Sequence, residues 1–241
     1  MSEELTNRII TIALGSGADL VGIVSADQLN RAPEGHSPSD LLPTARSVVV
    51  LACGRKLNED RYYIGKFVST KFGVRLKRTL AHRGMNRVAR FLKLKGFDVA
   101  IEKSGWSDIL SFRRAAYYSG LGVIGKGGFV VHPKYGPLNV LCCIVTNAPL
   151  NPGRPLNLDL CKVCTLCLKV CAYGAITPNG FDSRKCRFYD YYDAKKGTSK
   201  YGPCNAKCVN LCPIGKFCQH ARARKGLLGW VKERLRKLGY S

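Results

Sequence analysis

The sequence predicts a mixed α+β domain followed by a small module rich in cysteine. Two observations predict the domain: β-branched apolar runs typical of buried strands alternate with segments of helical periodicity, and no internal repeat is present. A third predicts the module, because eight of the twelve cysteines lie between Cys161 and Cys212. With 46% hydrophobic residues among 241, the chain has enough apolar material for a core.

The first domain is predicted to span residues 1–150. Its first element, at 2–17, has the periodicity of an amphipathic helix. Further helices are predicted at 62–94 and 108–118, and strands at 20–24, 47–52, 98–101, 128–131 and 138–146. The residues predicted to form the buried face of the first helix are Leu5, Ile9, Ile10, Ala13 and Leu14.

Three segments follow this domain. Residues 151–155, Asn-Pro-Gly-Arg-Pro, form a predicted linker. The cysteine module is predicted at 156–220, and a basic amphipathic helix at 221–241. That helix either packs on its own domain or lies on a membrane surface or RNA.

The cysteines have the spacing of iron–sulfur ligands. The motif Cys161-x-x-Cys164-x-x-Cys167-x-x-x-Cys171 matches bacterial two-cluster ferredoxins, in which the fourth cysteine ligates the other cluster. We therefore predict two [4Fe–4S] clusters. The first would take Cys161, Cys164, Cys167 and Cys212, and the second Cys171, Cys186, Cys204 and Cys208.

Disulfides and zinc are the alternatives for these cysteines. Disulfides need an oxidising compartment, and the opening residues show neither a secretory nor a twin-arginine signal. Zinc favours separated CxxC pairs rather than three cysteines at intervals of three. We expect a cytoplasmic protein without a transmembrane span, because no run of 18 apolar residues occurs.

The net charge of +23 predicts an anionic partner. Basic residues are concentrated between Arg55 and Lys95 and again from Arg184 onward. Nucleic acid, an acidic redox protein, a membrane surface and a phosphorylated ligand all fit such a field. The alternative is an ordinary charged surface, although such surfaces usually balance Lys with Glu.

A glycine-rich stretch, Gly120-Leu-Gly122-Val-Ile-Gly125, matches the GxGxxG dinucleotide fingerprint in letters only. That fingerprint needs a strand before the loop, a helix after it and an acid about 20 residues on. Here a predicted helix precedes the loop and a strand follows it. The glycines instead predict a close approach of the backbone to a ligand or to another chain segment.

Several segments together carry a resemblance to a known family. They are SGLGVIGKGG at 119–128, HPKYGP at 132–137, the cysteine motif from 161 and the later Asp182-x-x-x-Cys186. GADLVGI at 17–23 and ARSVVVLA at 45–52 match the opening segments of the same family. The chain resembles the epoxyqueuosine reductases, and more distantly the reductive dehalogenases. It looks like a short form, without the helical-repeat extension that serves tRNA in the queuosine enzymes.

The resemblance implies a nitroreductase-like domain that can hold cobalamin, joined to a two-cluster ferredoxin-like module. It also implies an oxidoreductase in which electrons pass through the clusters to the cobalt and then to a small or tRNA-borne substrate. An electron-donor protein of the ferredoxin or flavodoxin type is then expected as a partner. The alternative is an iron–sulfur electron carrier that reduces a partner protein and has no substrate chemistry of its own.

The resemblance also implies site residues. The positions that match family residues near the corrinoid are Arg113, Gly122, Gly125 and Lys126. The family's proton-donating Asp falls on Trp106 here, so the candidate donors become Asp108, Tyr117 and Tyr118. Asp108 has an alternative role as an acid at the start of a helix.

Overall fold

A computed structural model describes residues 2–53, 68–102, 109–138, 140–186, 192–193, 198–199 and 207–214. The chain divides into two compact units. The first comprises Met1–Val123 and Leu138–Asn157, and the second Ile124–Pro137 and Leu158–Ser241. The second unit is therefore built from two separate stretches of sequence.

Helices and strands are interspersed through the described chain. The helices are α1 Ser2–Gly15, α2 Ala26–Leu29, α3 Pro38–Leu41, α4 Val68–Leu94, α5 Phe112–Tyr118, α6 Leu166–Val170 and α7 Lys207–Asn210, with a 3₁₀ turn at Ser183–Lys185. The longer strands are β1 Leu20–Ser25, β2 Ser47–Cys53, β3 Val99–Glu102, β5 Val130–His132 and β7 Val140–Thr146. The two-residue strands are β4 Val123–Ile124, β6 Gly136–Pro137, β8 Ile176–Thr177, β9 Gly180–Phe181, β10 Tyr192–Asp193 and β11 Thr198–Ser199.

The first unit is organised on a four-stranded sheet in the order β1-β2-β7-β3, with every neighbouring pair antiparallel. Val50 of β2 lies opposite both Gly22 of β1 and Cys143 of β7. All residues of β2 and β7 are buried. Continuous apolar runs are typical of strands covered on both faces, and the predicted mixture of helix and sheet is confirmed.

Helices cover both faces of this sheet. Val49 and Leu51 of β2 belong to one core with buried residues of α1 and α4. Successive strand residues point to opposite faces, so Val50 and its neighbour Gly22 face the other way. A Cβ atom on Gly22 would lie 2.6 Å from Oγ of Ser119, directly after α5. The short helix α5 therefore packs on the second face.

Two predicted helices differ from the observed ones. In α1, Ile9 and Ala13 are buried as predicted, but the prediction for Leu14 is wrong because its side chain is 45% exposed. The helix predicted at 108–118 begins at Phe112, where Oγ of Ser111 accepts the backbone N–H of Arg114 at 3.5 Å. Serine is a favoured N-cap, and this cap explains the later start. Asp108 and the helix predicted at 221–241 lie outside the described residues.

The strand predictions come close to the observed bounds. The strand predicted at 128–131 is displaced to β5, and the others overlap β1, β2, β3 and β7. The stretch Gly120–Gly125 follows α5 and runs into β4, which is the reverse of the dinucleotide-binding order. In the part of the chain that the structure describes, no helix is both long and apolar enough to cross a membrane.

The segment after β7 is tied to the first unit by backbone hydrogen bonds. Asn151 N donates to Oγ1 of Thr6 at 3.0 Å, and Gly153 N donates to the carbonyl of Ile23 at 2.8 Å. These bonds hold the predicted linker 151–155 against β1 and α1. The proposed limits of the domains and of the linker stay predictions.

Candidate metal centre

A cavity in the second unit is surrounded by cysteines. The five that line it are Cys161, Cys164, Cys167, Cys208 and Cys212. Most of its other walls are apolar, with contributions from Leu160, Leu166, Val209, Pro213 and Ile214. Two parts of the sequence about 40 residues apart therefore contribute cysteines to one small and largely apolar space.

Short local turns place these sulfur atoms. Cys164 N donates to the carbonyl of Cys161 at 3.2 Å, which curls the first loop back on itself. The loop runs into α6, which carries Cys167, and α6 contacts α7, which carries Cys208. Cys212 N donates to the carbonyl of Val209 at 3.3 Å, so the chain also turns just after α7. The two short helices thus bring the first and last cysteine motifs together.

The remaining predicted ligands lie elsewhere. Cys171 follows α6 and Cys186 follows the 3₁₀ turn at Ser183–Lys185; both are partly buried. Asp182 caps that turn by accepting the backbone N–H of Arg184 at 3.0 Å. Cys204 lies outside the described residues. Among the residues with a described position, no three His, Cys, Asp or Glu side chains are close enough to hold one metal ion.

Burial opposes ionisation of the thiols in the cavity. Desolvation raises the pKa of Cys161 and of Cys167. At Cys161 a hydrogen bond from the backbone N–H of Lys126 and the charge of that lysine act in the opposite direction. Metal binding requires thiolates. A metal bound in the cavity would therefore have to offset the cost of ionising these buried thiols.

The glycine loop lies against the first cysteine loop. A Cβ atom on Gly125 would be 3.0 Å from Cγ2 of Val131 and 3.2 Å from Sγ of Cys161. Gly125 therefore lets the loop pass close to the cysteine sulfur, as the sequence predicted for these glycines. The ammonium of Lys126 donates to the carbonyls of Lys162 and Cys164 at 3.3 and 3.2 Å. The two contacts of the Lys126 ammonium were not predicted from the sequence, because each joins residues more than 30 positions apart.

The other predicted cofactor and catalytic residues belong to the first unit. Arg113, Tyr117 and Tyr118 lie on α5 and are partly buried, and Gly122 is buried. The rings of Tyr117 and Tyr118 meet edge to face, with centroids 5.2 Å apart. Contact of Arg113 and Gly122 with a corrinoid stays a prediction, and so do proton transfers by Asp108 and the two tyrosines.

His132 is a further titratable group of the second unit. Its Nδ1 accepts the backbone N–H groups of Lys134 and Tyr135 at 3.0 and 3.2 Å. An imidazole that accepts at Nδ1 carries its proton on Nε2 and is neutral. Burial, reinforced by the charge of Lys134, lowers the pKa of His132 to about 4. The HPKYGP segment is therefore a turn organised by a neutral histidine.

Basic residues form a row on the exposed side of α4 in the first unit. Arg83, Arg87 and Arg90 are all exposed and follow the spacing of neighbours on one helical face. With His82 and Asn86 they line one open concavity. Arg87 also donates to Oγ of Ser16 at 3.3 Å. The sequence had indicated a basic region here but not this alignment.

No protein-family model matches the chain. Curated proteins do: the epoxyqueuosine reductase of Staphylococcus aureus is 29% identical over 88% of this chain, and that of Bacillus subtilis 26% identical over 88%. The resemblance to the epoxyqueuosine reductases is confirmed. The chain spans 65% and 64% of the length of these two epoxyqueuosine reductases.

A more distant resemblance, to the reductive dehalogenases, also holds. The tetrachloroethene reductive dehalogenase of Sulfurospirillum multivorans is 27% identical over 54% of this chain and 28% of its own length. Relatives of both kinds are reductases by name.

Solved structures share the fold. An epoxyqueuosine reductase with an epoxyqueuosine-modified tRNA-Tyr stem loop has a TM-score of 0.64 at 23% identity, covering 88% of this chain and 66% of its own. A reductive dehalogenase whose structure suggests a mechanism for B12-dependent dehalogenation has a TM-score of 0.68 at 20% identity, covering 100% of this chain and 36% of its own. At this identity the likeness of both structures concerns the fold alone.

Proposed function

We propose that the chain is an iron–sulfur reductase with two [4Fe–4S] clusters in its second unit. The observation that carries this proposal is the cavity lined by five cysteines. Thiolate sulfur is the ligand of such clusters, and their potential depends on burial and on hydrogen bonds to sulfur. The donor set and the apolar walls both fit this group.

The ligand sets follow from the cysteine spacing and the cavity. Cys161, Cys164 and Cys167 line it together with Cys212, which supports one set of four. The second set would be Cys171, Cys186, Cys204 and Cys208, by the rule that the fourth cysteine of a motif reaches the other cluster. Because Cys208 also lines the cavity, the two clusters would be neighbours, as electron transfer between them requires.

The finer architecture is part of the same proposal. A nitroreductase-like domain at 1–150 would precede a ferredoxin-like module at 156–220. The four-stranded sheet covered by helices, and the fold shared with a reductive dehalogenase, support the first. The cysteine spacing supports the second.

Cobalamin is the cofactor proposed for the first unit. It would supply a strongly reducing cobalt centre. Arg113, a partly buried cation, and Gly122, a buried residue without a side chain, fit a flat macrocycle that carries a phosphate. Lys126 fits less well, because its ammonium already donates to two carbonyl groups of the cysteine loop.

The residues proposed to deliver a proton are Asp108, Tyr117 and Tyr118. A general acid must come within hydrogen-bond reach of the group it protonates. The two tyrosines lie on α5 beside Arg113, and this shared helix supports their role. Trp106 occupies the position of the family's aspartate. That substitution favours the second candidate function, an electron carrier that reduces a partner protein.

An anionic macromolecule is the proposed partner, and tRNA is the one the relatives suggest. A solved epoxyqueuosine reductase was crystallised with a tRNA stem loop. The row Arg83, Arg87 and Arg90 supports this partner, since Arg binds phosphate in a bidentate manner. An electron donor of the ferredoxin or flavodoxin type is proposed as well.

Anaerobic purification followed by iron, sulfide and cobalt analysis tests the proposal. About eight irons per chain, with a reducible [4Fe–4S] signal in electron paramagnetic resonance (EPR), would support it, and zinc in place of iron would overturn it. Stoichiometric cobalt after incubation with cobalamin would favour the reductase. Eight irons without cobalt, with electron transfer to a redox protein, would favour the carrier.

A further inference from the structure

The side chain of Lys126 contacts the first cysteine loop. The ammonium lies 3.3 Å from the carbonyl oxygen of Lys162 and 3.2 Å from that of Cys164. The Lys126 backbone N–H and charge also act to lower the pKa of the Cys161 thiol, against the larger effect of its burial. One ammonium therefore binds the loop at two carbonyl groups.

The loop around Lys126 is built for this contact. Gly125 and Lys126 belong to the turn between β4 and β5, which Gly125 closes by accepting the backbone N–H of Gly128 at 2.9 Å. Any side chain at Gly125 would press on Val131 and on the sulfur of Cys161. The turn thus delivers Lys126 to the cysteines, and its ammonium is partly buried.

The ammonium of Lys126 favours an added electron on a group bound by this loop. Reduction of a cluster adds one negative charge, which a nearby cation stabilises more strongly where water is excluded. The ammonium has no carboxylate partner among the described residues, so its charge is available to the cluster.

We propose that Lys126 is a positioning residue that holds the Cys161–Cys167 loop and raises the reduction potential of the cluster bound there. This inference rests on the proposed function, since it needs a cluster on this loop. The proposed effect of Lys126 on the reduction potential is separate from any contact of this residue with a corrinoid.

The test compares three substitutions of one residue. Lys126→Gln and Lys126→Met remove the charge, whereas Lys126→Arg keeps both the charge and the donors. The measurement is an anaerobic redox titration followed by EPR, with iron content determined on the same samples. We expect the two neutral variants to lower the equilibrium constant for reducing one cluster about tenfold, which is about 59 mV for one electron.

Lys162→Gln is the matched control. Lys162 lies between Cys161 and Cys164, but its side chain is exposed, so water and salt screen its charge. We expect Lys126→Arg and Lys162→Gln to keep the potential near the wild-type value. Loss of iron from Lys126→Met with retention in Lys126→Arg would also support the positioning role.

Two results would overturn the inference. One is full iron content in every variant with unshifted potentials, and the other is an equal shift in Lys162→Gln. Neither result is confused with failure of the proposed function, in which the wild-type protein itself would contain no clusters.

Discussion

The carbonyl oxygen of Arg154 occupies the space beside Gly120, where a Cβ atom would lie only 2.5 Å from it. Gly120 also has a φ of +80°, in the region that disfavours residues with a side chain. The segment after β7 thus runs directly over the end of α5. Gly120 opens the stretch that matches the GxGxxG sequence pattern, and its role here is to let two backbone segments pack together.

Gly120→Ala is expected to destabilise the protein by about 2 to 4 kcal/mol. About 1 to 2 kcal/mol would come from the left-handed backbone and the rest from displacing Arg154. Unfolding in urea measures the loss. Gly35→Ala is the matched control, because Gly35 has a φ of +77° with no heavy atom within 4 Å of the added Cβ. Equal losses in the two variants would contradict the packing argument.

His132 is expected to make stability fall as the pH is lowered. Its pKa is about 4 in the fold and about 6.5 in an unfolded chain, so the unfolded state binds the proton first. The stabilisation is complete above pH 6.5 and is lost progressively toward pH 4. After allowance for partial exposure, we expect about 1 to 2 kcal/mol between pH 7 and pH 5.

His132→Asn separates this effect from other acid-labile groups. An asparagine oxygen can accept the N–H groups of Lys134 and Tyr135 but does not titrate. The difference in unfolding free energy between pH 7 and pH 5 should therefore be smaller in the variant. A difference as large as that of the wild type would show that His132 is not responsible.

Arg83 and Arg90 are expected to contribute to polyanion binding through phosphate contacts. Replacing both with Gln should reduce the slope of log Kobs against log salt by up to about two, since each phosphate contact contributes about 0.9 on duplex nucleic acid. Arg87 is left in place because it bonds to Ser16. Arg8→Gln, which changes an exposed arginine of α1, is the control. An equal salt slope in the wild type, the double variant and Arg8→Gln would show that Arg83 and Arg90 make no phosphate contacts.

Cys171→Ala is expected to remove about four of about eight irons per chain while leaving the other cluster. The reason is that Cys171 is proposed to ligate only the second cluster. Iron content and the EPR signal measure the loss. Cys53→Ala is the control, because Cys53 is buried at the end of β2 in the first unit and should retain all the iron. Unchanged iron in Cys171→Ala would refute the ligand assignment.

Much of the first unit was predictable because its signals are local. Ser47–Ala52 has the continuous β-branched apolar run typical of a buried strand, and β2 is buried throughout. Periodicity placed Ile9 and Ala13 in the core but failed at Leu14, near the end of α1. Apolar character alone does not show where a helix stops facing its neighbours.

The cysteine spacing predicted only part of what lines the cavity. It grouped Cys161, Cys164 and Cys167 with the distant Cys212, and all four line the cavity, but it assigned Cys208, which lines it too, to another set. The ligation of clusters by these cysteines stays a prediction.

The contacts of Lys126 with Lys162 and Cys164 join residues 36 and 38 positions apart, and no local rule predicts them. The same is true of Nδ1 of His132, whose partners depend on the turn that follows it.

The division of the second unit into Ile124–Pro137 and Leu158–Ser241 limits how the cysteine module can be handled. A gene fragment starting at residue 151 would encode the cysteines without Gly125 and Lys126. Such a fragment would lack part of the compact unit that contains the cysteines. During synthesis, Ile124–Pro137 leaves the ribosome before Leu158–Ser241, the stretch with which it forms the second unit. Insertion of the proposed cluster that would use Cys212 could finish only after nearly 90 further residues have been synthesised.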